Sequence, residues 1–477
     1  MVSVFIKENR KYNKDELCQM FELDEDKWRQ FSGRLLSKRV LKSSTKDDKE
    51  DDFEDDSEDD YKDDGTGVFY KFNYVGIIVY KEWIIKCYPK YIRDIDDKVL
   101  TSKLKQVLQV IKKDKSSKSS FSMLGESEQD SSNKLNLMLY LLDDYFANGI
   151  YYNDTDIIEI NGSGEIDWNR TVNYSDPFIS NGKPFYLELH TKRRVINDYD
   201  YFRRLHECII SICSRDIELY GLADLLNVTT VELSDDNVED FGDEDYIIYR
   251  LNNEKNVQFN TRKLQLLDYM ELFIKKYFAT KGTERFNLYG TGKFNIIWED
   301  VCAFVLDSQL KRPIFELELP EKVNEKYKRY KNLLEIIEKP KWGIHKAEAQ
   351  KTLIPDLISF RRTEKTFEFI ILDAKYYNIK IEGDKVAGQP GVDDVLKQYS
   401  YQMAYLDFLR DHNITSVKNC FLMPTDLDYI ITDQGEATMD MFRRMGLEDI
   451  RIRLLPAMLM YKLYLSGRKY DLGELKL

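Results

Sequence analysis

Residues 354–377, IPDLISFRRTEKTFEFIILDAKYY, constrain the fold more than any other stretch. Two runs rich in β-branched and aromatic residues flank a polar RRTEK turn, the pattern of a β-hairpin. The first strand is expected to end near Asp356, and TFEFIILDAKYY forms the second. FNIIWEDVCAFVLDSQL (294–310) comes before the hairpin and has helical spacing, with Ile297, Val301, Phe304 and Val305 inward. Between them, the polar stretch from Glu321 to Gln350 reads as a charged helix and then a loop. After the hairpin come a helix at 392–412, a strand VKNCFLMPTD and a helix LLPAMLMYKLYLSG. Helix, strand, strand, helix, strand is a sheet with helices packed around it, an α/β arrangement assigned to residues 281–477.

The chain has 477 residues, too many for one core, so two or three domains are expected. Residues 1–100 read as an α+β domain: two short helices over 14–42, N-capped by Asn13 and Asp24, then the strands GVFYKFNYVGIIVY and KEWIIKCYPKYI. Two helices followed by a hairpin suit either a winged helix or an ordinary small α+β domain. Residues 101–280 are mostly helical, at the start of 101–134 and over 134–149, 198–225 and 261–279. A Ser-rich linker and an acidic loop, ELSDDNVEDFGDEDY, interrupt these helices. Gly162 and Gly164 lack the spacing and following helix of a phosphate loop, and a tight turn needing glycine at positive φ is expected there. His206 lies among apolar helix positions and reads as a core or surface histidine, not a catalytic base.

Net charge alone argues against a nucleic-acid partner, but its distribution removes that argument. Asp47 to Asp64 hold thirteen acidic residues and two lysines, so this stretch supplies −11 of the total −13 and leaves −2 for the rest. Such a block repels itself and buries nothing, so an acidic loop over 45–65 is expected to be disordered. No run approaches the ~18 apolar residues of a membrane span, and the N-terminus lacks a signal-peptide pattern. Six scattered cysteines with no Cys-x-x-Cys pair, and four histidines, suggest reduced thiols and no zinc site. A cytoplasmic protein is expected.

The chemistry concentrates in the hairpin. Period-2 alternation puts Asp373 and Lys375 on one face and turns Ala374 inward, while Asp356 lies on the neighbouring strand. Two carboxylates and the Ala374 backbone carbonyl make a hard-oxygen site suited to Mg²⁺. The Lys375 ammonium can hold an attacking water and offset charge developing on phosphorus. These are the requirements of phosphodiester hydrolysis.

Pro355, Asp356, Asp373 and Lys375 together resemble the Pro-Asp…Asp-x-Lys signature of the PD-(D/E)XK nuclease superfamily. The resemblance implies a C-terminal restriction-endonuclease-like domain with a central mixed sheet flanked by helices. It also makes Glu299 the extra upstream acid, with Glu348 a weaker candidate. Lys397 and Tyr401 match a Lys-x-x-x-Tyr element that contacts DNA or orients the site, with Gln398 and Gln402 as neighbouring alternatives. YVGIIVYKEWIIKCYPKYI, INGSGEIDWNRT, WED and LIPDLISF…ILDAKYY together look like the LlaJI-type restriction endonucleases, related to McrC. That resemblance implies double-stranded DNA as substrate, a McrB-like AAA+ GTPase as partner and docking on that motor by the N-terminal half. This chain has no Walker motif, so no nucleotide is expected to bind to it. The competing expectation is a non-catalytic winged-helix adaptor, binding DNA or a partner, whose nuclease-like domain is only a scaffold.

Overall fold

The computed structural model describes residues 2–45, 67–93, 96–118, 134–280, 286–427 and 429–477. The acidic stretch at 45–65 lies outside the described residues from 46 onward, as does most of the Ser-rich segment. The chain is mixed α/β and forms two compact units. One combines Met1–Ser122 with Tyr289–Leu477, and the other is Met123–Leu288. The 1–100 segment and nearly all of the 281–477 segment therefore share a unit.

The first unit begins with β1 (Val2–Lys7), α1 (Lys14–Phe21) and α2 (Glu25–Ser37). Asn13 and Asp24 cap the two helices, their side chains accepting from the Glu16 and Lys27 amides. The expected run of α2 through Lys42 is incorrect. The helix stops at Ser37, Arg39 turns at φ 56°, and Leu41–Thr45 becomes β2. Ser43, Ser44 and Thr45 favour an extended backbone over a helix interior. β2 pairs antiparallel with β3 (Val68–Phe72), so the acidic stretch joins two paired strands instead of preceding the hairpin. β4 (Val75–Tyr80) and β5 (Trp83–Tyr88) pair antiparallel, and β1 adds parallel to β5. Phe31 fixes α2 against this sheet, packing on Phe21, Tyr80 and Trp83. The long helix α3 (Asp97–Lys118) follows.

The second unit contains α4 (Lys134–Asn148), then β6 (Asp154–Ile160), β7 (Glu165–Ile166), α5 (Trp168–Tyr174), β8 (Pro177–Ser180), β9 (Lys183–Tyr186) and β10 (His190–Ile196). Helices α6 (Tyr201–Leu219), α7 (Glu244–Val257) and α8 (Thr261–Thr280) complete it. α7 corrects the acidic-loop expectation at its C-terminal end: Asp243 caps the Tyr246 amide and a helix starts at Glu244. The positive-φ explanation for Gly162 and Gly164 is also corrected. Asn161 carries the positive φ, 52°, and neither glycine does. The glycines are required by close approach. A Cβ on Gly164 would lie 2.4 Å from the Lys192 carbonyl oxygen, and one on Gly162 would lie 2.5 Å from Glu159 Oε2. Around them, Trp168, Tyr174, Phe178, Ile179, Phe185 and Leu187 are all more than half exposed.

His206 is fully buried on α6, its Nδ1 accepting from the Tyr151 amide at 3.0 Å. Burial lowers its pKa to about 3, well below the ~6.5 of an exposed imidazole. The folded state therefore holds the neutral ring. Its contribution is complete above pH ~6.5 and is lost as pH falls through 6.5 toward 3. Thermal melts of the wild type should lose on the order of a few kcal/mol across this window. His206→Gln should melt lower at neutral pH but with a shallower acid slope; an unchanged slope would refute the assignment.

The chain re-enters the first unit along β11 (Phe286–Thr291), which borders β4, and continues into α9 (Phe294–Val305). The charged helix expected over 321–350 is absent from these described residues. Asn324 and Asn332 cap single 3-10 turns, and beyond Pro340 comes a small hairpin, β12 (Lys341–Trp342) and β13 (Ala347–Glu348). The short polar side chains of the two asparagines satisfy local amides and compete with a continuous helix.

The second sheet contains β14 (Leu357–Arg362), β15 (Phe367–Ala374), β16 (Ser416–Thr425), β17 (Thr432–Ala437) and β18 (Ile450–Pro456), in the order β14-β15-β16-β18-β17. β15, β16 and β18 run parallel and both edge strands are antiparallel. α10 (Val392–Ala404) and α11 (Leu406–Asp411) cover one face, where Tyr401, Tyr405 and Phe408 pack with Phe369 and Ile371. Alternation turns Ile370, Leu372 and Ala374 to the opposite face. There α9 packs on β15, and the Trp298 indole donates to the Leu422 carbonyl at 3.3 Å. α12 (Ala457–Ser466) packs on α9 and α3, joining the N-terminal segment to this core.

Candidate active site

Asp356 lies one residue before β14 instead of at the end of a strand, which corrects the expected hairpin boundary. The correction accounts for the site. In the antiparallel register Leu357 faces Leu372, so the start of β14 lies beside the end of β15. Asp356 Oδ2 accepts from the Ala374 amide at 3.0 Å, and the Asp356 and Asp373 carboxyl groups are hydrogen-bonded to each other. Burial raises both carboxyl pKa values. Asp373, only 3% exposed, is pushed up to about 8 by burial and then by its contacts with Asp356. Two like-charged groups held this close in a buried setting favour a shared proton or an added cation.

Lys375 Nζ lies 3.2 Å from Asp373 Oδ2 and 2.9 Å from Asp394 Oδ1. Burial opposes its charge, but the two carboxylates outweigh burial and raise its pKa. Asp394, near the start of α10, was not anticipated from sequence. Nineteen residues separate it from Lys375, and the only signal is a pair of acids in the first turn of a helix. Lys397, exposed one turn later, lies 3.7 Å from the same Asp394 oxygen.

The remaining candidates divide by position. Glu299, half-buried on α9, has its pKa raised by burial and then by the Asp373 charge, so it senses the site from the other helix layer. Gln398 is fully buried, its amide donating to the Ile371 carbonyl and to Asn419 Oδ1. The Tyr401 hydroxyl donates to the Ile354 carbonyl at 2.9 Å and so anchors the segment leading into Asp356. Gln402 is also buried and accepts from the Glu448 amide. Glu348 is exposed on the β12–β13 hairpin, 4.0 Å from Lys341 and in a different element from the carboxylate pair.

Among the described residues no three acidic, histidine or cysteine side chains are grouped to hold a metal ion. The oxygens that could hold a cation are those of the Asp356/Asp373 pair, with the Ala374 carbonyl and Glu299 as the further ligands expected from the sequence. Hard oxygens with a surplus of buried negative charge fit a small divalent cation.

A family model described as LlaJI restriction endonuclease matches residues 74–455 of this chain. The chain belongs to the LlaJI restriction endonuclease family. The matched span contains every candidate above. Another similar protein is the type II restriction enzyme BsuMI component YdjA of Bacillus subtilis (strain 168). It is 29% identical over 419 residues, covering 85% of this LlaJI-family chain and 83% of that protein. Two solved structures also align. One is a half-complex of Thermococcus gammatolerans McrB AAA+ hexamers with bound McrC, at 12% identity and a TM-score of 0.37, covering 98% of this chain and 99% of that one. The other is the Thermococcus gammatolerans McrBC complex, at 11% identity and a TM-score of 0.24, covering 62% of this chain and 84% of that one. Among the described residues of the LlaJI-family chain, no helix is long and apolar enough to cross a membrane.

Proposed function

We propose that this chain is the Mg²⁺-dependent, DNA-cleaving subunit of a multicomponent restriction system, with its C-terminal sheet serving as a PD-(D/E)XK nuclease domain. The observation that carries this reading is the meeting of Asp356, Asp373 and Lys375 at one end of two adjacent strands. Asp356 and Asp373 would hold the cation, which when bound supplies Lewis-acid stabilisation to the phosphoryl oxygens. Lys375 keeps its proton through Asp373 and Asp394 and presents it toward the attacked phosphate, where it holds water and offsets charge. Tyr401 fixes the approach to Asp356, and Gln398 ties α10 to β15.

The family membership and a relative named as an enzyme component support a division of labour, with DNA recognition and movement supplied by a McrB-like AAA+ GTPase. The exposed apolar side chains around β8 and β9 give the second unit a surface suited to docking on that partner. The helix pair and following strands of the N-terminal segment are read as winged-helix-like.

The test is a cleavage assay of the chain with a McrB-like partner component on duplex DNA, unmethylated and methylated, with and without Mg²⁺ and GTP. Cleavage should require both. Cleavage that persists in excess chelator would remove the metal assignment. DNA binding with no cleavage under any condition would favour the adaptor reading.

A further inference from the structure

The β12–β13 hairpin has no part in the reading above, although the chain runs from it directly into Asp356. Its tip carries two large apolar side chains in solvent, Trp342 at 69% exposure and Ile344 at 97%. Lys339, Lys341, Lys346 and Lys351 lie along the hairpin and its stem, all exposed, together with the exposed Glu338 and Glu348. Lys341 pairs loosely with Glu348, and no ion pair is shown for the other three among the described residues. Backbone and side-chain ties hold the base: the Ala349 amide donates to the Pro340 carbonyl at 2.8 Å, and the Thr352 hydroxyl to the Glu338 carbonyl at 2.6 Å. The tip is thus presented on a closed stem.

An exposed aromatic and a branched aliphatic group two residues apart at a hairpin tip offer apolar surface to a partner. Four lysines against two glutamates leave residues 338–351 at a net +2, which favours a polyanion. Apolar side chains that enter between base steps, flanked by lysines on phosphates, are a recurring way to grip and kink a duplex. Reach is also suitable. Twelve residues lead from Ile344 at the tip to Asp356, and an extended chain covers at most about 42 Å over that length, little more than the ~34 Å of one duplex turn. Both features can therefore engage one duplex within neighbouring turns.

We propose that the hairpin at residues 339–351 is a DNA-gripping wedge, in which Trp342 and Ile344 contact the base stack of the duplex whose backbone reaches Asp356 and Asp373, and Lys339, Lys346 and Lys351 hold its phosphates. The proposal rests on the nuclease reading for its choice of DNA as partner.

The experiment uses the full chain with its partner component, metal-free, and a fluorescent duplex of about 30 base pairs containing 2-aminopurine. Binding is followed by anisotropy over a salt series, and unstacking by the 2-aminopurine signal. Trp342→Ala/Ile344→Ala should weaken binding roughly tenfold, abolish the unstacking signal and leave the salt slope unchanged. Lys339→Gln/Lys346→Gln/Lys351→Gln should lower the slope by about two to three. These side chains are exposed, and a melting curve checks that the variants remain folded. If both hairpin variants match the wild type in affinity and slope, the wedge is wrong; a separate assay with Mg²⁺ and GTP in which the wild type cleaves and Asp373→Asn does not then leaves the nuclease reading standing. If Asp373→Asn still cleaves, the nuclease reading falls, and the binding data alone decide the wedge. Failure of the wild type to bind the duplex would overturn the wedge outright.

Discussion

Asp373→Asn should abolish DNA cleavage and at the same time make the metal-free protein harder to unfold. Both effects follow from the placement of this carboxyl group at the end of β15, 3% exposed and hydrogen-bonded to Asp356. Burial and the contacts with Asp356 push its pKa up to about 8, against ~3.9 in an unfolded chain. Between those values the folded protein holds a proton that the unfolded chain has released. Stability therefore falls as pH rises from about 4 to about 8. The amide has no charge to bury, so the variant should gain on the order of a few kcal/mol at pH 8 and little at pH 5. Replacing even an outer partner of a metal ligand costs about 10–100-fold, so losing a direct ligand should cost more than that. Added Mg²⁺ should stabilise the wild type, by ~2.7 kcal/mol at a hundredfold excess over its Kd, and leave the variant unmoved. Thermal melts from pH 5 to 8, with and without Mg²⁺, check this beside a cleavage assay. Parallel melting curves for the two proteins, or surviving cleavage, would refute the assignment.

The same residues show what the sequence made legible. The apolar run ending in Asp373-Ala374-Lys375 announced a strand with a charged face at its end, and its alternation put Asp373 and Lys375 on one side. The spacing places Asp356 at the end of a strand where the structure has it just before one, because a Pro-Asp step looks alike in both positions until the register is known. Asp394 was invisible for a different reason. Its contact with Lys375 crosses from a helix to a strand, and pairings of that kind leave no periodicity in the chain. The 321–350 stretch misled in the opposite direction. Its charged residues suit a helix, but Asn324, Asn332 and Pro340 divide it into short turns. The joining of the two chain ends in one unit, through α3 packed on α9 and α12, is long-range packing and was equally hidden.

Asp394 also supplies the second large effect, expected where the lysine is removed or its support is taken away. Lys375→Met should reduce cleavage by about 10²–10⁴-fold, the usual range for a positioned proton-transfer group. The salt bridges at 3.2 and 2.9 Å show why the ammonium is kept in a half-buried position: two carboxylates stabilise a charge that burial alone would suppress. Asp394→Asn retains the hydrogen-bond geometry but removes one of those charges. Its cleavage should fall by less, up to about 100-fold through misplacement of the amine. The pH dependence distinguishes the two variants. With Asp394 neutralised, the Lys375 pKa falls, so the alkaline limb of the cleavage profile should move to lower pH. Lys375→Met has no such limb to move. Exposed Lys397, 3.7 Å from Asp394, provides the control: Lys397→Gln should leave the limb where it is in the wild type. An Asp394→Asn profile that superimposes on the wild type would mean that Asp394 holds α10 in place without tuning the lysine. A Lys397→Gln variant that reproduces the Asp394→Asn profile would mean that Asp394 acts through the surface lysine instead of Lys375.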